Sequence, residues 1–440
     1  MNYLIEKLAN TIPNGWRILN LNDILDTFES GSRPYGGMFN EQNGSIPSFG
    51  GENIDQKGMI EYNNIKKISY DFFSTMTKGK LKDGDVLINK DGAQTGKVGY
   101  YRNKYYNLAA INEHLFLLRG DSFKVTQKYL FYFLLSDYGQ KLLKQKITGS
   151  AQPGLNSRFV NNFSVIIPEG IHEQQKIADI LTTVDNIIEK TEQLIEKYKK
   201  VKEGMMQDLF TRGIDENGNL RPSYEQAPHL YKETELGMIP KEWDANHLEN
   251  ISDITRLAGA EYSDVWYTVP EGEIIALRGY NVGENELDLS NIETITFDLS
   301  KRLNRSKLFK GDIVFPCVGS IGKAALIYED NRYHINQNIA KITPNEKMDP
   351  LYLTYFLMSS HIKKEINKYN ASSSQPNVLV GNLRKFSIAV PKINEQIKIA
   401  KKLSKINDVL KKEEKYKIKL KKLKQGLMQD LLTGKVRVKV

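Results

Sequence analysis

One stretch of this 440-residue chain occurs twice, and that repeat constrains the fold more than anything else in the sequence. Pro168, Glu173-Gln174, Ile177-Ala178 and Gly204-Met205-Met206-Gln207-Asp208-Leu209 return as Pro391, Glu395-Gln396, Ile399-Ala400 and Gly426-Leu427-Met428-Gln429-Asp430-Leu431. The offset is 223 residues at the proline and 222 thereafter. The segments ahead of these stretches echo each other loosely: Ile12-Pro13 with Trp16 against Ile239-Pro240 with Trp243, and Asp83-Gly84-Asp85-Val86 against Lys310-Gly311-Asp312-Ile313. A frame kept twice with different filling predicts two similar domains, each followed by the same element, and two different readers at a fixed separation.

The length exceeds what one core supports, so at least two domains are expected. An apolar fraction of 40% and a mean hydropathy of −0.47 describe a soluble chain. No run reaches the roughly 18–20 apolar residues of a membrane span. The start, Met1-Asn2-Tyr3-Leu4-Ile5-Glu6-Lys7, lacks a basic-then-apolar signal layout, and a cytoplasmic location is expected. A single cysteine, Cys317, excludes a disulfide framework or thiolate cluster, and six scattered histidines give no metal-ligand spacing. The net charge of +9 fits either a lysine-rich solvated surface or a polyanionic partner.

Residues 1–167 alternate β-like runs, such as Val86-Leu87-Ile88, Leu115-Phe116-Leu117-Leu118 and Phe163-Ser164-Val165-Ile166-Ile167, with turn-forming residues. A helix-like stretch from Gln127 to Lys146 gathers Tyr129, Leu130, Phe133, Leu134, Leu142 and Leu143 on one side, and its counterpart starts at Tyr352. The expected organisation is a first domain over 1–167, a helix over 168–212, a polar linker over 213–236, a second domain over 237–390 and a second helix over 391–434. The first helix carries Ile180, Val184, Ile187, Thr191, Leu194, Tyr198, Val201 and Met205 at spacings of about four and three, a heptad seam. The second repeats it as Ile406, Val409, Glu413, Tyr416, Leu420, Leu423 and Leu427, with its polar break at the matching position. Matched register predicts that the helices pack on each other. Running antiparallel, they would relate two α+β domains by a pseudo-two-fold axis and hold them at opposite ends of a rod.

The Glu-Gln-x-x-Ile-Ala starts after Pro168 and Pro391, the Met-Gln-Asp-Leu-Phe-Thr and Met-Gln-Asp-Leu-Leu-Thr-Gly endings, and Ile-Pro-x-x-Trp opening each half make an ordered set that occurs twice. With it, the chain resembles the DNA specificity subunit of type I restriction–modification systems along its whole length. The resemblance implies two target recognition domains, each reading one part of a bipartite double-stranded DNA sequence, with the paired helices as a ruler. It also implies docking of two methyltransferase subunits that modify adenine, and of motor-nuclease restriction subunits. No cofactor is expected on this chain; S-adenosylmethionine, ATP and magnesium belong to those partners. The departure is the lysine-rich stretch Lys411 to Lys424, which reads as a wet helix face or as contact with DNA or a partner.

Two matched loop pairs are the candidate DNA contacts. Gly92-Ala93-Gln94-Thr95-Gly96-Lys97 and Gly319-Ser320-Ile321-Gly322-Lys323-Ala324 lack the spacing of a nucleotide-binding P-loop. They read equally as hairpin turns or as DNA-facing loops, with Lys97 and Lys323 on phosphates and Gln94 or Ser320 near base edges. Gln152 and Asn156 with nearby Arg158 match Gln375 and Asn377 with Arg384; amides of this kind read adenine, although an ordinary loop before the final strand has the same composition. Arg33 and Tyr35, and Arg278 and Tyr280, are further candidates. Neither an Asn-Pro-Pro-Tyr nor an Asp-Pro-Pro-Tyr methylation box is present, nor a helicase P-loop, nor a carboxylate–carboxylate–lysine nuclease core. The chain reads as a non-catalytic targeting subunit. The alternatives left open are a two-headed coiled-coil adaptor for proteins or RNA and a self-contained restriction or modification enzyme.

Overall fold

The computed structural model describes residues 12–35, 45–149, 151, 153–257, 261–262, 266–369 and 377–439. The chain forms two compact units, residues 1–192 with 415–440, and residues 193–414. Each unit therefore holds one variable segment and one half of each long helix, Ile171–Thr211 and Ile393–Leu432. At 1.5 Å per residue each helix is about 60 Å long.

The two units share one topology. In the first, an antiparallel sheet runs Leu25–Ser30, Leu115–Gly120, Val86–Asn89, Val98–Tyr100, and a second runs Lys66–Ile68, Ile46–Phe49, Ala110–Ile111 with its last pair parallel. In the second unit the orders are Ser252–Arg256, Ile339–Pro344, Ile313–Pro316, Ala325–Leu326, and Glu293–Ile295, Ile274–Leu277, Tyr333–Ile335, again with the last pair parallel. A strand pair closes each unit beneath the long helix: Trp16–Asn20 with Ser164–Pro168, and Asp244–His247 with Ser387–Val390. Val86, Leu87 and Ile88 are wholly buried because their strand lies inside its sheet with both faces covered.

The stretch from Gln127 to Lys146 is two helices. Ser136 ends Gln127–Leu135 in an extended conformation, and its hydroxyl accepts from Gly139 N at 3.1 Å to start Asp137–Lys144. Residues 213–236, expected as a linker, are folded into the second unit. Ile214 bridges to Leu220, and Tyr231–Thr234 pairs with Gly237–Pro240.

Each long helix begins on the same three bonds. Gln174 accepts from Thr126 N at 2.9 Å and donates to the carbonyls of Lys124 and Pro168, both at 2.9 Å. Gln396 accepts from Asp349 N at 2.8 Å and donates to Lys347 O and Pro391 O, both at 2.9 Å. The glutamate beforehand takes the indole of the opening tryptophan, Trp16 onto Glu173 at 3.3 Å and Trp243 onto Glu395 at 3.1 Å. An arginine following the end of the other long helix completes each cluster. Arg437 binds Glu173 through two nitrogens, at 3.0 and 2.7 Å, and Arg221 binds Glu395 at 2.5 and 3.1 Å.

The long helices pack antiparallel within each unit. Asp185 meets Lys424 and Glu192 meets Lys421 in the first unit, and Lys202 meets Asn407 in the second. The buried stripe keeps Val184, Thr191 and Leu420 of the expected seam but elsewhere lies one residue from it. Val184 and Leu420 pack together with Ile188. Ile180, Leu194, Tyr198, Met205, Ile406, Val409 and Leu427 are only half-buried, while Ile187, Val201, Tyr416 and Leu423 are exposed. Ile188, Ile195, Lys202, Asn407, Leu410 and Met428 are buried instead. The helix ends decide this phase. Ile177, Ala178 and Leu181 enter the first unit's core, and Met206, Leu209 and Phe210 the second's. A helix anchored on those faces turns 188, 195 and 202 inward. Polar seam residues are tolerated because they are bonded: Thr191 Oγ1 donates to Ile187 O at 2.8 Å, and Lys202 Nζ donates to Asn407 Oδ1 at 3.2 Å.

Candidate nucleic-acid interface

In the first unit the loop pair expected from sequence comes together. Lys90, at the end of strand Val86–Asn89, takes its backbone bond from Leu155 N (2.7 Å) and gives its own N–H to His114 O (2.9 Å). Gly92 N donates to Pro153 O at 3.1 Å, and Thr95 Oγ1 bonds both Gly92 O and Pro153 O. Gly31 N donates to Leu115 O at 3.3 Å, which brings the Arg33 segment to the same edge. Four segments thus meet: 30–35, 90–97, 112–115 and 153–156.

Gln94 is exposed, and its Oε1 accepts from Lys97 Nζ at 3.0 Å, so the cation is held at the loop surface. Arg33 is more than half exposed and pairs with Glu113 at 3.4 Å; Tyr35 is wholly exposed. Asn156 is exposed, but its Oδ1 accepts from Arg158 N at 2.9 Å and caps the turn Ser157–Asn162, a structural task; the Arg158 side chain stands in solvent. Gln152 and Gln375 lie outside the described residues. Two residues that sequence reading missed belong to this surface. His114 Nδ1 lies 2.7 Å from Asp91 Oδ1 and its Nε2 3.4 Å from Glu113 Oε1. Lys90 Nζ donates to Ser30 Oγ at 2.9 Å and sits 5.5 Å from the Phe116 ring centre. Neither residue lies in a repeated motif, so the sequence carried no signal for them.

The second unit follows the same backbone path. Val378 N donates to Cys317 O at 2.9 Å, Cys317 N donates to Asn338 O at 2.8 Å, and Val318 bridges to Asn377. Lys90, His114 and Leu155 thus correspond to Cys317, Asn338 and Val378. Gly50 corresponds to Arg278, since Asn53 and Asn281 cap the two turns identically, accepting from Gly50 N at 3.0 Å and Arg278 N at 2.9 Å. The Arg278 turn packs on the loop: a Cβ on Gly279 would lie 3.6 Å from Val318 O. Arg278 is half-buried and ion-paired with Glu293, and Tyr280 is exposed beside it. Burial drives the Cys317 thiol up to about 11, so it is a packing group at neutral pH.

Two assignments change. Arg384 donates from Nη2 to Ile254 O at 3.1 Å, tying the helical turn Val380–Leu383 to the strand Ser252–Arg256, which is structural work. Lys323 is exposed next to Ala324, which bridges to Glu284. Burial would raise the Glu284 carboxyl, but Lys202, Lys363 and Lys323 together hold it below its ordinary range. Lys323 is the weakest of these three influences and stays exposed at the loop, whereas Lys202 makes the direct bond to Glu284 at 2.9 Å. Ser320 and Asn377 remain on the loop surface, both half-buried.

A cavity of about 890 Å³ in the first unit is lined in part by Leu135, Ile188 and Met428 and by Asp137 and Asp185. Both carboxylates are engaged, Asp185 by Lys424 at 2.6 Å and Asp137 by Gln425 at 3.0 Å. Among the described residues no three His, Cys, Asp or Glu side chains converge as a metal site, and no helix is long and apolar enough to cross a membrane.

Comparison with known proteins agrees with this architecture. The type I restriction modification DNA specificity domain matches residues 13–199 and again 270–422. The specificity subunit of the type I restriction enzyme MjaVIII of Methanocaldococcus jannaschii is 26% identical over 97% of this chain and 94% of its own length. The putative MjaX specificity subunit of the same organism is 28% identical over 97% and 95%. Among solved structures, the type I restriction–modification S subunit of M. genitalium superimposes with a TM-score of 0.58 at 15% identity, covering 96% of both chains.

Proposed function

Because this chain belongs to the type I restriction modification DNA specificity family, we propose that it reads a bipartite double-stranded DNA target, one half-site per unit. The observation that carries the reading is the contrast between frame and loops. Equivalent backbone positions carry Lys90 and the buried Cys317, His114 and Asn338, and the buried Gly50 and Arg278, so the two units present different side chains from one backbone path. Base-edge readout depends on such side chains, whereas phosphate contacts only fix register. Unlike loops on one frame therefore favour two unlike half-sites. Arg33, Tyr35, Gln94, Lys97, Arg158, Arg278, Tyr280, Ser320 and Asn377 are the proposed contacts, with Lys90 and His114 added. The long helices set the gap. Methylation of adenine and restriction are assigned to methyltransferase and motor-nuclease subunits, which would hold S-adenosylmethionine, ATP and magnesium. The reading places the chain in the cytoplasm, with the DNA.

The test is selection of random duplex DNA by the chain co-purified with its methyltransferase subunit. Two short motifs at a constant gap are expected. One heptad added to both long helices should lengthen the gap and leave both motifs unchanged. Recovery of no motif by an intact complex would replace this reading with that of a protein or RNA adaptor.

A further inference from the structure

We infer that Arg33 and Glu113 act as one base-reading device, with which the first unit reads a guanine·cytosine pair. The inference deepens the DNA reading proposed above and rests on it. At the loop surface Glu113 joins two other groups: its Oε1 lies 3.4 Å from Arg33 Nη1 and 3.4 Å from His114 Nε2. The His114 ring is held from its other side by Asp91 Oδ1, 2.7 Å from Nδ1; a carboxylate only accepts, so Nδ1 donates. The four segments that meet here carry three cations, Arg33, Lys90 and Lys97, against the two carboxylates of Asp91 and Glu113. The surface therefore stays attractive to a polyanion although it presents carboxylates.

Glu113 is sparsely bonded for a carboxylate. Both contacts of Oε1 are longer than the roughly 2.7–3.2 Å of a well-made N–H···O bond. Oε2 is turned inward and, among the described residues, has no hydrogen-bond partner. The carboxyl can take a further donor, and a phosphate supplies none. In the major groove only cytosine N4 and adenine N6 donate, and the neighbouring arginine selects between them. Two parallel guanidinium donors match guanine N7 and O6, and the next group along that base pair is the cytosine N4 donor. Arg33 beside Glu113 presents donor, donor, acceptor, the complement of that row. An A·T pair shows acceptor, donor, acceptor, so one guanidinium donor would face the adenine N6 donor and the carboxylate would face thymine O4. The frame does not require this carboxylate. Asn112 and Asn336 cap the same turn, accepting from His114 N and Asn338 N, each at 3.0 Å, so Glu113 corresponds to Gln337. Asp91 corresponds to Val318, since they bridge to Gly154 and Asn377. The second unit thus builds the same turn with an amide and a valine. Its Arg278 comes from another turn and pairs with Glu293, so it does not recreate the device.

The test is selection of random duplex DNA by the full chain, co-purified with its methyltransferase subunit, as the wild type, as Glu113→Gln and as Arg33→Gln. In each variant the preference for G·C at one position of one motif should fall about tenfold, at the same position in both variants. The other motif should be unchanged, which also reports that the chain is folded and assembled. Glu113→Gln keeps the size of the side chain and installs the residue that the second unit carries on this turn. Two motifs recovered with every G·C preference intact in both variants overturn the inference. So do losses at different positions, or a loss at an A·T pair. Disappearance of both motifs in both variants would place the pair in the fold and overturns it as well. Recovery of no motif by the wild type overturns the DNA reading itself and the inference with it, so the two failures are distinguishable.

Discussion

Glu173 and Glu395 do the same job in two settings. Each receives a tryptophan N–H and an arginine at the start of a long helix. Around Glu395 the arginine side chain is 12% exposed, whereas Arg437 on Glu173 is 45% exposed. The base of each unit thus repeats its tryptophan, glutamine and arginine bonds while its solvation differs, and the loop surface above repeats only its backbone. A frame copied at this level leaves the loops free to diverge, because their strands, turns and capping amides are already fixed from below.

The widest gap between the two bases should appear on deleting the carboxylates. Glu395→Ala strands the Trp243 and Ile214 N–H groups and leaves the buried Arg221 guanidinium only Glu242 and the Arg212 carbonyl, both at 3.3 Å, and should destabilise the chain by about 2–4 kcal/mol. Glu173→Ala leaves Arg437 able to turn into water and should remove about 1–2 kcal/mol. Urea denaturation of both variants measures the difference. Equal losses would mean that solvation of the arginine does not separate the two clusters.

A second contrast is a titratable group. His334, wholly buried in the second unit, lies between Ser300 Oγ at 2.8 Å and Ser306 Oγ at 2.9 Å. The aligned strand of the first unit, Ala110–Ile111, has no histidine. Burial, helped by Lys307 and Lys341, lowers His334 from 6.5 to about 4. The unfolded chain therefore takes up the proton first as pH falls. Stability from this group is complete above about pH 6.5 and is lost towards pH 4, by about 3 kcal/mol in all. Thermal unfolding of the wild type and of His334→Gln between pH 7 and 4 should show the steeper fall in the wild type. Parallel curves would remove His334 as the cause.

The duplication, the strand runs and the two long helices were legible because repeats and apolar periodicity are properties of neighbouring residues. The seam was legible at Val184, Thr191 and Leu420 and elsewhere only to within one position. Ile187-Ile188, Leu194-Ile195, Val409-Leu410 and Leu427-Met428 are adjacent apolar pairs, so two stripes satisfy the same heptad. What chose between them is the docking of the helix ends into the domain cores. The glutamate clusters were hidden for a related reason. Arg437 lies 264 residues from Glu173, and Arg221 lies 174 from Glu395. Of the loop candidates, the two motif pairs were found because both occur twice, whereas His114 and Lys90 occur once and carry no pattern.

The smallest effect separates two lysines that the repeat presents as equals. Lys97 is held by Gln94 on the loop surface, while Lys323 is exposed and, with Lys202 and Lys363, lowers the carboxyl of Glu284. If the loops meet DNA, Lys97 exchanges one amide contact for one phosphate, and Lys97→Gln should lower the slope of log K against log salt by about 1 without changing the selected motif. Lys323→Gln should leave that slope unchanged and act on the fold instead, lowering Tm by about 1–3 °C as Glu284 loses a neighbouring cation. Salt titration of DNA binding by both variants, with Tm recorded alongside, distinguishes the two roles. A slope change in Lys323→Gln as large as in Lys97→Gln would mean that both lysines face phosphates and that the loops diverge only in their base-reading side chains.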